Sequence, residues 1–305
     1  MIIITAPVHP YFLNALSQKG YMYEYLPAIT YEELEQRIPV AEGLIVTTRI
    51  KVDKNLLCRS DKLKWIGRLG SGMELIDVEF AASKNIRCES SPEGNKNAVA
   101  EHALGMLLNV LRNIHKSEKE ISEGKWLREQ NRGVELSHKT VGIIGFGNTG
   151  SAFAKILSGF DVTILAYDKY KFDFGKDNIR EASIEQVCKY ADVISFHLPL
   201  NSDTAHLCGR SLFKMMESKP VIINTSRGEI VQVTHLLEAL NAGIISGACL
   251  DVLENESFLN MSDHEKAELE RLVQHPKVIV TPHIAGYTHE AFLEMAKVLL
   301  RKLEL

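Results

Sequence analysis

KTVGIIGFGNTG, residues 139–150, is an apolar run that passes directly into three closely spaced glycines, and SAFAKIL at 151–157 continues it with a helical pattern. The glycines form the pattern G-x-G-x-x-G between a predicted strand and a predicted helix. In this setting the first glycine makes a tight turn, the second lets the backbone approach a pyrophosphate, and the third lets helix and strand pack closely. Free N–H groups at the start of the helix face the anion. We therefore predict a dinucleotide-binding βα unit with contacts at Gly145, Gly147, Asn148, Thr149 and Gly150.

An acidic residue stands where this kind of unit needs one. Asp168 ends the next apolar run, VTILAYD at 162–168, eighteen residues after Gly150. A carboxylate there accepts hydrogen bonds from the ribose 2′-OH of NAD and repels the 2′-phosphate of NADP, so NAD is the predicted cofactor. Lys169 beside it softens that preference, and the prediction does not extend to exclusive use of NAD. The residues leave open a structural alternative, in which the glycines make only a βα turn and Asp168 caps a helix.

Apolar runs and helical patterns alternate along the chain, which is typical of α/β folds with a parallel sheet. A long helical pattern covers 97–121 between two such series, and an amphipathic pattern runs from 288 to 305. We predict a doubly wound, parallel-sheet Rossmann domain over 96–282, inserted into a smaller flavodoxin-like α/β domain made of 1–95 plus 283–305. The predicted strands of the smaller domain include 2–4, 43–46 and 63–66, and those of the larger domain are 141–144, 162–165, 193–196, 221–223, 247–250 and 278–280.

Composition excludes several classes of protein. The chain has 305 residues, of which 45% are apolar and 24% are charged, and its formal net charge is −4. Such a balance gives no electrostatic reason to bind nucleic acid or an anionic membrane. No run approaches the ~20 apolar residues of a membrane-spanning helix, and the opening MIIITAP lacks a signal peptide, so we expect a cytoplasmic protein. Five separated cysteines predict reduced, mostly buried thiols and no metal site.

Four polar clusters follow predicted strands of the larger domain, at 197–200, 224–228, 251–256 and 281–286. In an open α/β sheet the ligand lies beyond the carboxyl ends of the strands. In this order after the glycines, NTSRG, DVLENE and PHIAG resemble the D-isomer-specific 2-hydroxyacid dehydrogenases, and GRLGSG at 67–72 and NAVAEH at 97–102 extend the resemblance over nearly the whole chain.

The resemblance implies a catalytic set of Arg227, Glu256 and His283. The chemistry suits these residue types, because an arginine fork holds a carboxylate and a carbonyl oxygen together and an imidazole exchanges a proton near neutral pH. A glutamate beside the imidazole orients the ring and raises its pKa. Taken singly, the three residues are equally open to structural interpretations: His283 as a cap or core histidine, Arg227 in an ion pair, and Glu256 on a solvated turn. Their joint position at strand ends of a dinucleotide domain favours catalysis.

The resemblance also implies cofactor contacts beyond the glycine loop. His197 is expected to line the adenine side of the cofactor and not to act as an acid or base, and Asp251 is expected to contact the nicotinamide amide, with an N-cap as its alternative. The full set of further cofactor residues is His197, Leu198, Pro199, Thr204, Thr225, Ser226, Arg227, Asp251, His283, Ala285 and Gly286.

The substrate is expected in the cleft between the two domains, which would close to exclude water. Backbone N–H groups of Gly70, Ser71 and Gly72 can form an anion nest for a carboxylate. Arg49 occupies a place where relatives present an arginine to the substrate; the alternative for it and Lys51 is a solvated basic turn. With Asn95, Arg227 and His283, these residues complete the predicted substrate site.

Because Arg49 and Lys51 suit a phosphate, 3-phosphoglycerate or glycerate is the predicted substrate, followed by D-lactate and other apolar D-hydroxy acids. Two departures from the family pattern are Glu74-Leu75 ahead of Ile76-Asp77, which bears on substrate choice, and Ser257, where a proline commonly follows the glutamate. A homodimer is expected from the resemblance alone. The alternative outside enzymes is a non-catalytic, NAD(H)-sensing interaction protein like the corepressors that share this fold.

Overall fold

A computed structural model describes all residues, 1–305, as two compact units. The smaller unit comprises Met1–Lys96 and Tyr287–Leu305, and the larger comprises Asn97–Gly286. His283 to Gly286, which the sequence pattern assigned to the smaller domain, fall in the larger unit, where the amide of His283 donates to the carbonyl of Asp251 at 2.8 Å.

The smaller unit is built on a five-stranded parallel sheet with the order β2-β1-β3-β4-β5. This is the 2-1-3-4-5 order of flavodoxin-like folds. Side chains alternate between two apolar cores, since Ile3 packs on one face while Ile2 and Ile4 pack on the other. The strands are β1 (Ile2–Ile4), β2 (Tyr23–Tyr25), β3 (Gly43–Val46), β4 (Trp65–Arg68) and β5 (Arg87–Ser90), and the helices are α1 (Pro10–Gln18), α2 (Tyr31–Arg37), α3 (Lys54–Cys58), α4 (Val78–Ser83) and α12 (His289–Leu303).

The larger unit contains a seven-stranded parallel sheet of order β12-β11-β10-β9-β6-β7-β8. Counted from β6, this is the 3-2-1-4-5-6 Rossmann order with one strand added, so the predicted fold class is confirmed. Its strands are β6 (Thr140–Ile144), β7 (Thr163–Tyr167), β8 (Ile179–Glu181), β9 (Val193–Phe196), β10 (Val221–Asn224), β11 (Gly247–Leu250) and β12 (Val278–Val280), and its helices are α6 (Ile114–Ser122), α7 (Asn148–Leu157), α8 (Ile184–Tyr190), α9 (Arg210–Phe213), α10 (Val233–Asn241) and α11 (Asp263–Gln274).

The helix predicted over 97–121 is two helices in the structure. Helix α5 (Pro92–Arg112) begins five residues earlier than predicted, and α6 follows it after Asn113. Asn113 has φ 56°, a left-handed conformation that asparagine tolerates better than most residues and that ends a right-handed helix. The boundary between the two units, at Lys96, lies inside α5.

Three strands escaped the sequence analysis, and each is an edge strand. β2, β5 and β8 consist mainly of half-buried or exposed residues, because an edge strand has only one neighbour and less of its surface is covered. The unbroken apolar runs that reveal central strands of parallel sheets are therefore absent from them. Of the five cysteines, Cys188, Cys208 and Cys249 are buried, Cys88 is half-buried and Cys58 is exposed; none forms a disulfide.

Candidate active site and cofactor site

The three glycines of the β6–α7 turn each meet a different requirement. Gly145 has φ 96°, where a side chain is strained, and a Cβ there would lie 2.2 Å from the carbonyl oxygen of His197. A Cβ on Gly150 would lie 2.0 Å from the carbonyl oxygen of Gly145, so the helix crosses the turn too closely for any side chain. A Cβ on Gly147 would meet nothing within 4 Å. The space beside Gly147 therefore admits an approaching ligand.

Asp168 is tied to the glycine turn by its own carboxylate. One oxygen accepts the amide N–H of Phe146 at 2.8 Å, and the other accepts those of Tyr170 and Lys171 at 2.9 and 3.1 Å. A carboxylate offers about four acceptor positions, so these bonds leave capacity for a ribose hydroxyl. Lys169, in contrast, is paired with Asp203 at 2.7 Å on the surface.

His197 is buried beside the same turn. Its Nε2 lies 2.9 Å from the hydroxyl of Ser195, and its Nδ1 lies 3.1 Å from that of Thr149, one of the predicted cofactor residues. Burial lowers the pKa of His197 to about 4. The ring is therefore neutral at physiological pH, in keeping with its predicted lining role.

The loop after β9 is held together by Thr204, whose hydroxyl donates to the carbonyl of Pro199 at 2.7 Å and accepts the amide of Asn201 at 2.9 Å. Leu198 lies between β9 and this loop in the sequence, and it is partly buried against the apolar core. Of the predicted cofactor residues, Leu198, Pro199 and Thr204 thus share one ordered segment.

The loop after β10 is organised by a residue that the sequence analysis did not single out. Asn224 is fully buried; its Oδ1 accepts from the hydroxyl of Ser226 at 2.8 Å, and its Nδ2 donates to the carbonyl of Arg227 at 2.8 Å. The Arg227 guanidinium also donates to the carbonyl of Ser226 at 2.6 Å. Next to it, a Cβ on Gly228 would lie 1.8 Å from the carbonyl oxygen of Leu253, so the arginine loop packs directly on the loop that leads to Glu256.

The hydroxyl of Thr225 in this loop is buried and has no hydrogen-bond partner. An orphaned buried polar atom is uncommon and requires an explanation. Together with the open space at Gly147 and the spare capacity of Asp168, it shows that the residues at these strand ends fit a dinucleotide.

Asp251 follows β11 and is 1% exposed. Its carboxylate accepts the Thr281 hydroxyl at 2.6 Å, the Ile284 amide at 2.9 Å and the Ala285 amide at 2.7 Å. These bonds fix the backbone around His283, which has φ 54° and so adopts the left-handed conformation that non-glycine residues seldom take. Asp251 therefore supports the loop that carries the histidine.

His283 and Glu256 are brought together from the loops after β12 and β11. Nδ1 of His283 lies 2.8 Å from Oε2 of Glu256, and both side chains are nearly half exposed. The hydrogen bond to Glu256 raises the pKa of His283 above its ordinary value, against the opposing effect of burial. Arg227 is close enough for its charge to lower that pKa, whereas Asp251 raises it, so these four side chains form one electrostatic unit.

In the smaller unit, three of the predicted substrate residues, Gly70, Ser71 and Asn95, lie in the loop after β4 or contact it. The hydroxyl of Ser71 donates to Oδ1 of Asn95 at 3.0 Å, and the amide of Gly70 donates to the hydroxyl of Ser91 at 3.0 Å. Gly70 has φ 141°, a backbone conformation in which a residue with a side chain is strained.

Arg49 is exposed and has contacts within its own unit. Its guanidinium donates to the carbonyl of Ile29 at 2.5 Å and to that of Thr5 at 3.5 Å, in the same unit. The side chain thus fastens two loops at the carboxyl edge of the sheet, a structural task that the sequence alternative of a solvated turn did not include.

The chain belongs to the D-isomer specific 2-hydroxyacid dehydrogenase family, whose NAD-binding domain model matches residues 104–285. The chain is 31% identical over 300 residues to D-3-phosphoglycerate dehydrogenase from Archaeoglobus fulgidus, covering 98% of this chain and 55% of the relative. It is 33% identical over 279 residues to glyoxylate reductase from Thermococcus litoralis, covering 88% and 82%. The chain therefore spans about half the length of the phosphoglycerate dehydrogenase that it matches.

Among solved structures, D-lactate dehydrogenase from Aquifex aeolicus, complexed with NAD and lactic acid, superposes with a TM-score of 0.86 at 26% identity, over 99% of this chain and 94% of that one. The family predicted from the sequence is thus confirmed, and residues 104–285 carry its NAD-binding domain. No helix is both long enough and apolar enough to cross a membrane.

Proposed function

We propose that the protein is an NAD(H)-dependent dehydrogenase that interconverts a 2-keto acid and a D-2-hydroxy acid. The observation that carries the proposal is the 2.8 Å pairing of His283 with Glu256 at strand ends of the NAD-binding domain, within the electrostatic reach of Arg227. A proton-exchanging imidazole and a fixed cation in one place are the groups that reduction of a keto acid requires.

His283 moves the proton in this proposal. An ionised Glu256 can only accept a hydrogen bond, so the imidazole carries a proton on Nδ1 and exchanges its second proton at Nε2. In the direction of reduction, Nε2 donates to the developing alkoxide, and in the reverse direction it removes the proton of the hydroxyl. The carboxylate of Glu256 keeps the ring in one orientation and stabilises the imidazolium.

Arg227 would hold the substrate. Its guanidinium presents two parallel N–H groups that can bind a carboxylate oxygen and polarise the adjacent carbonyl, and it keeps its charge at every physiological pH. The Asn224 side chain and the close packing of Gly228 on Leu253 fix the arginine's backbone. A preorganised cation of this kind favours the transition state because the negative charge grows there.

Bound NAD(H) would supply the hydride acceptor or donor. We propose that the turn at Gly145–Gly150 holds the pyrophosphate and that Asp168 binds the adenosine ribose. His197, Leu198, Pro199 and Thr204 would line the adenine side. The predicted cofactor set is completed by Thr225, Ser226, Arg227, Asp251, His283, Ala285 and Gly286, with Asp251 expected at the nicotinamide amide. The bonds that Asp251 accepts from the amides of Ile284 and Ala285 support an additional structural role for it.

For the substrate we propose 3-phosphoglycerate or glycerate, with the smaller unit as the substrate-binding domain. The relatives named phosphoglycerate dehydrogenase and glyoxylate reductase support a short, polar acid. The hydrogen-bonded pair Ser71 and Asn95 supports a polar site in the smaller unit, whereas the amide of Gly70 is already engaged by the hydroxyl of Ser91. Arg49 gives less support, because its guanidinium already binds backbone carbonyls.

The test is NADH oxidation with phosphohydroxypyruvate, hydroxypyruvate, glyoxylate, pyruvate and 2-oxoglutarate. We expect turnover with phosphohydroxypyruvate or hydroxypyruvate, and we expect His283→Ala to lose about 10²- to 10⁴-fold in rate while keeping its NADH affinity. Turnover with pyruvate alone would move the assignment to a D-lactate-type enzyme. NADH binding without turnover on any acid would overturn the proposal in favour of a sensing protein.

We further propose a homodimer formed through the larger unit. Ile114 and Ile121 on α6 are 54% and 55% exposed, and Trp126 after it is 82% exposed, which supports a covered surface in solution. Light scattering should give twice the chain mass, and Trp126→Ser should shift the protein toward the monomer. The cytoplasm remains the predicted compartment, which cell fractionation would test.

A further inference from the structure

We propose that His102 is a positioning residue that orients the Asp251 carboxylate, and through it the His283 loop, by way of the Thr281 hydroxyl. His102 lies on α5, well outside the strand-end loops that carry the proposed catalytic groups. Its role rests on the proposed function, since it acts on the histidine assigned there. All of these residues lie inside the larger unit.

The contacts form a continuous chain. Nε2 of His102 lies 2.9 Å from the hydroxyl of Thr281 and 3.5 Å from Oδ1 of Asp251, and the Thr281 hydroxyl donates to Oδ1 at 2.6 Å. The carboxylate then accepts the amides of Ile284 and Ala285. These amides immediately follow His283, so the chain ends at the residue assigned to proton transfer.

The direction of the hydrogen bonds follows from a count of protons. The hydroxyl of Thr281 has a single proton, and the ionised Asp251 carboxylate has none to give. The hydroxyl proton therefore points to Asp251, and the hydroxyl oxygen must accept from His102, which carries a proton on Nε2. In this arrangement the Asp251 carboxylate accepts the Thr281 hydroxyl in addition to two backbone amides, and the bond from His102 polarises that hydroxyl.

These linked hydrogen bonds matter because the His283 backbone is held in an unfavourable conformation. A left-handed φ of 54° persists only where surrounding contacts impose it, and the contacts here converge on Asp251, whose carbonyl also accepts the His283 amide at 2.8 Å. Without the bond from His102, the Thr281 hydroxyl would no longer hold the Asp251 carboxylate in one orientation. The loop that carries His283 would then relax. Misplacing a catalytic group by as little as 1 Å lowers the rate of the chemical step.

The test compares variants that separate hydrogen bonding from packing. His102→Gln places an amide N–H near the position of Nε2, whereas His102→Leu fills the space without a donor. We expect His102→Leu to lower kcat by roughly tenfold, about the effect of one lost hydrogen bond, and His102→Gln to keep most of the wild-type kcat. The control is His264→Leu, which changes an exposed histidine of the same unit and should leave kcat unchanged.

A double-mutant cycle with Thr281→Val adds a second readout. If the two side chains act in one chain, His102→Leu with Thr281→Val should be no slower than the slower single variant. Equal activity of the Leu and Gln variants would assign His102 to packing and overturn the proposal, as would fully additive losses in the cycle.

Nuclear magnetic resonance keeps this test distinct from that of the proposed function. In the free protein, ¹⁵N-labelled histidine should show the His102 proton on Nε2, whether or not any keto acid is turned over. If the neutral ring carried its proton on Nδ1, Nε2 could not donate to the Thr281 hydroxyl. That result would overturn the inference about His102 and leave the proposed function untouched. Absence of turnover in the wild-type protein would instead overturn the dehydrogenase assignment.

Discussion

Replacing Gly150 and Gly147 separately by alanine should show that Gly150 is needed for packing and Gly147 for cofactor binding. The Cβ of Gly150→Ala would lie 2.0 Å from the carbonyl oxygen of Gly145, and an ordinary contact begins at 3.4 Å, so strand and helix must part by about 1.4 Å. Overpacking of this kind costs about 1–3 kcal/mol. For a chain of this size that lowers the melting temperature by roughly 2–5 °C.

Gly147→Ala should behave in the opposite way. Its Cβ would meet no protein atom within 4 Å, so the ligand-free variant should unfold within about 1 kcal/mol of the wild type. The added methyl group would occupy the space through which a pyrophosphate reaches the backbone. Loss of one hydrogen bond to a charged group, about 1.5–3 kcal/mol, predicts roughly 10- to 100-fold weaker NADH binding.

Thermal unfolding without cofactor and fluorescence titration with NADH measure the two effects separately. Each variant serves as the control for the other, because both add one methyl group to the same turn. An equal loss of melting temperature in the two variants would refute the packing argument for Gly150. Unchanged NADH affinity in Gly147→Ala would refute the assignment of the open space to the cofactor.

Three further predictions concern charge. Since Glu256 raises the pKa of His283 and keto acid reduction needs the protonated ring, the rate should fall as pH rises through that pKa, and Glu256→Gln should move the fall to lower pH; an unmoved profile would contradict the pairing. Asp168→Ser should weaken NADH binding and raise the NADPH-to-NADH ratio of kcat/KM by about tenfold or more, and an unchanged ratio would remove Asp168 from cofactor choice. The pKa of His197 is lowered to about 4 in the folded protein, whereas in the unfolded chain the ring binds a proton below about pH 6.5. The protein should therefore lose about 3 kcal/mol of stability through this residue as the pH falls from 6.5 to 4. Urea unfolding of His197→Gln should show a smaller loss of stability over the same pH range.

The central strands and the glycine turn could be predicted because their signals are local. Strands β9, β10 and β11 are fully buried on both faces, so they appear as unbroken apolar runs, and the glycines lie within six residues of one another. The edge strands β2, β5 and β8 and the break at Asn113 were missed because half-covered strands and a single left-handed residue leave no periodic pattern.

The candidate site divides in the same way. Arg227, Glu256 and His283 follow strands and match a family pattern, so the sequence alone predicted them as the catalytic set, and it also determined the fold class and the family. Only the tertiary structure decided which side chains are in contact. His102 contacts Thr281, which is 179 residues away in the sequence, and Arg49 binds backbone carbonyls. Strand order and helix crossing determine such contacts, and neither has a local signature, whereas periodicity and glycine spacing are set by neighbouring residues along the chain.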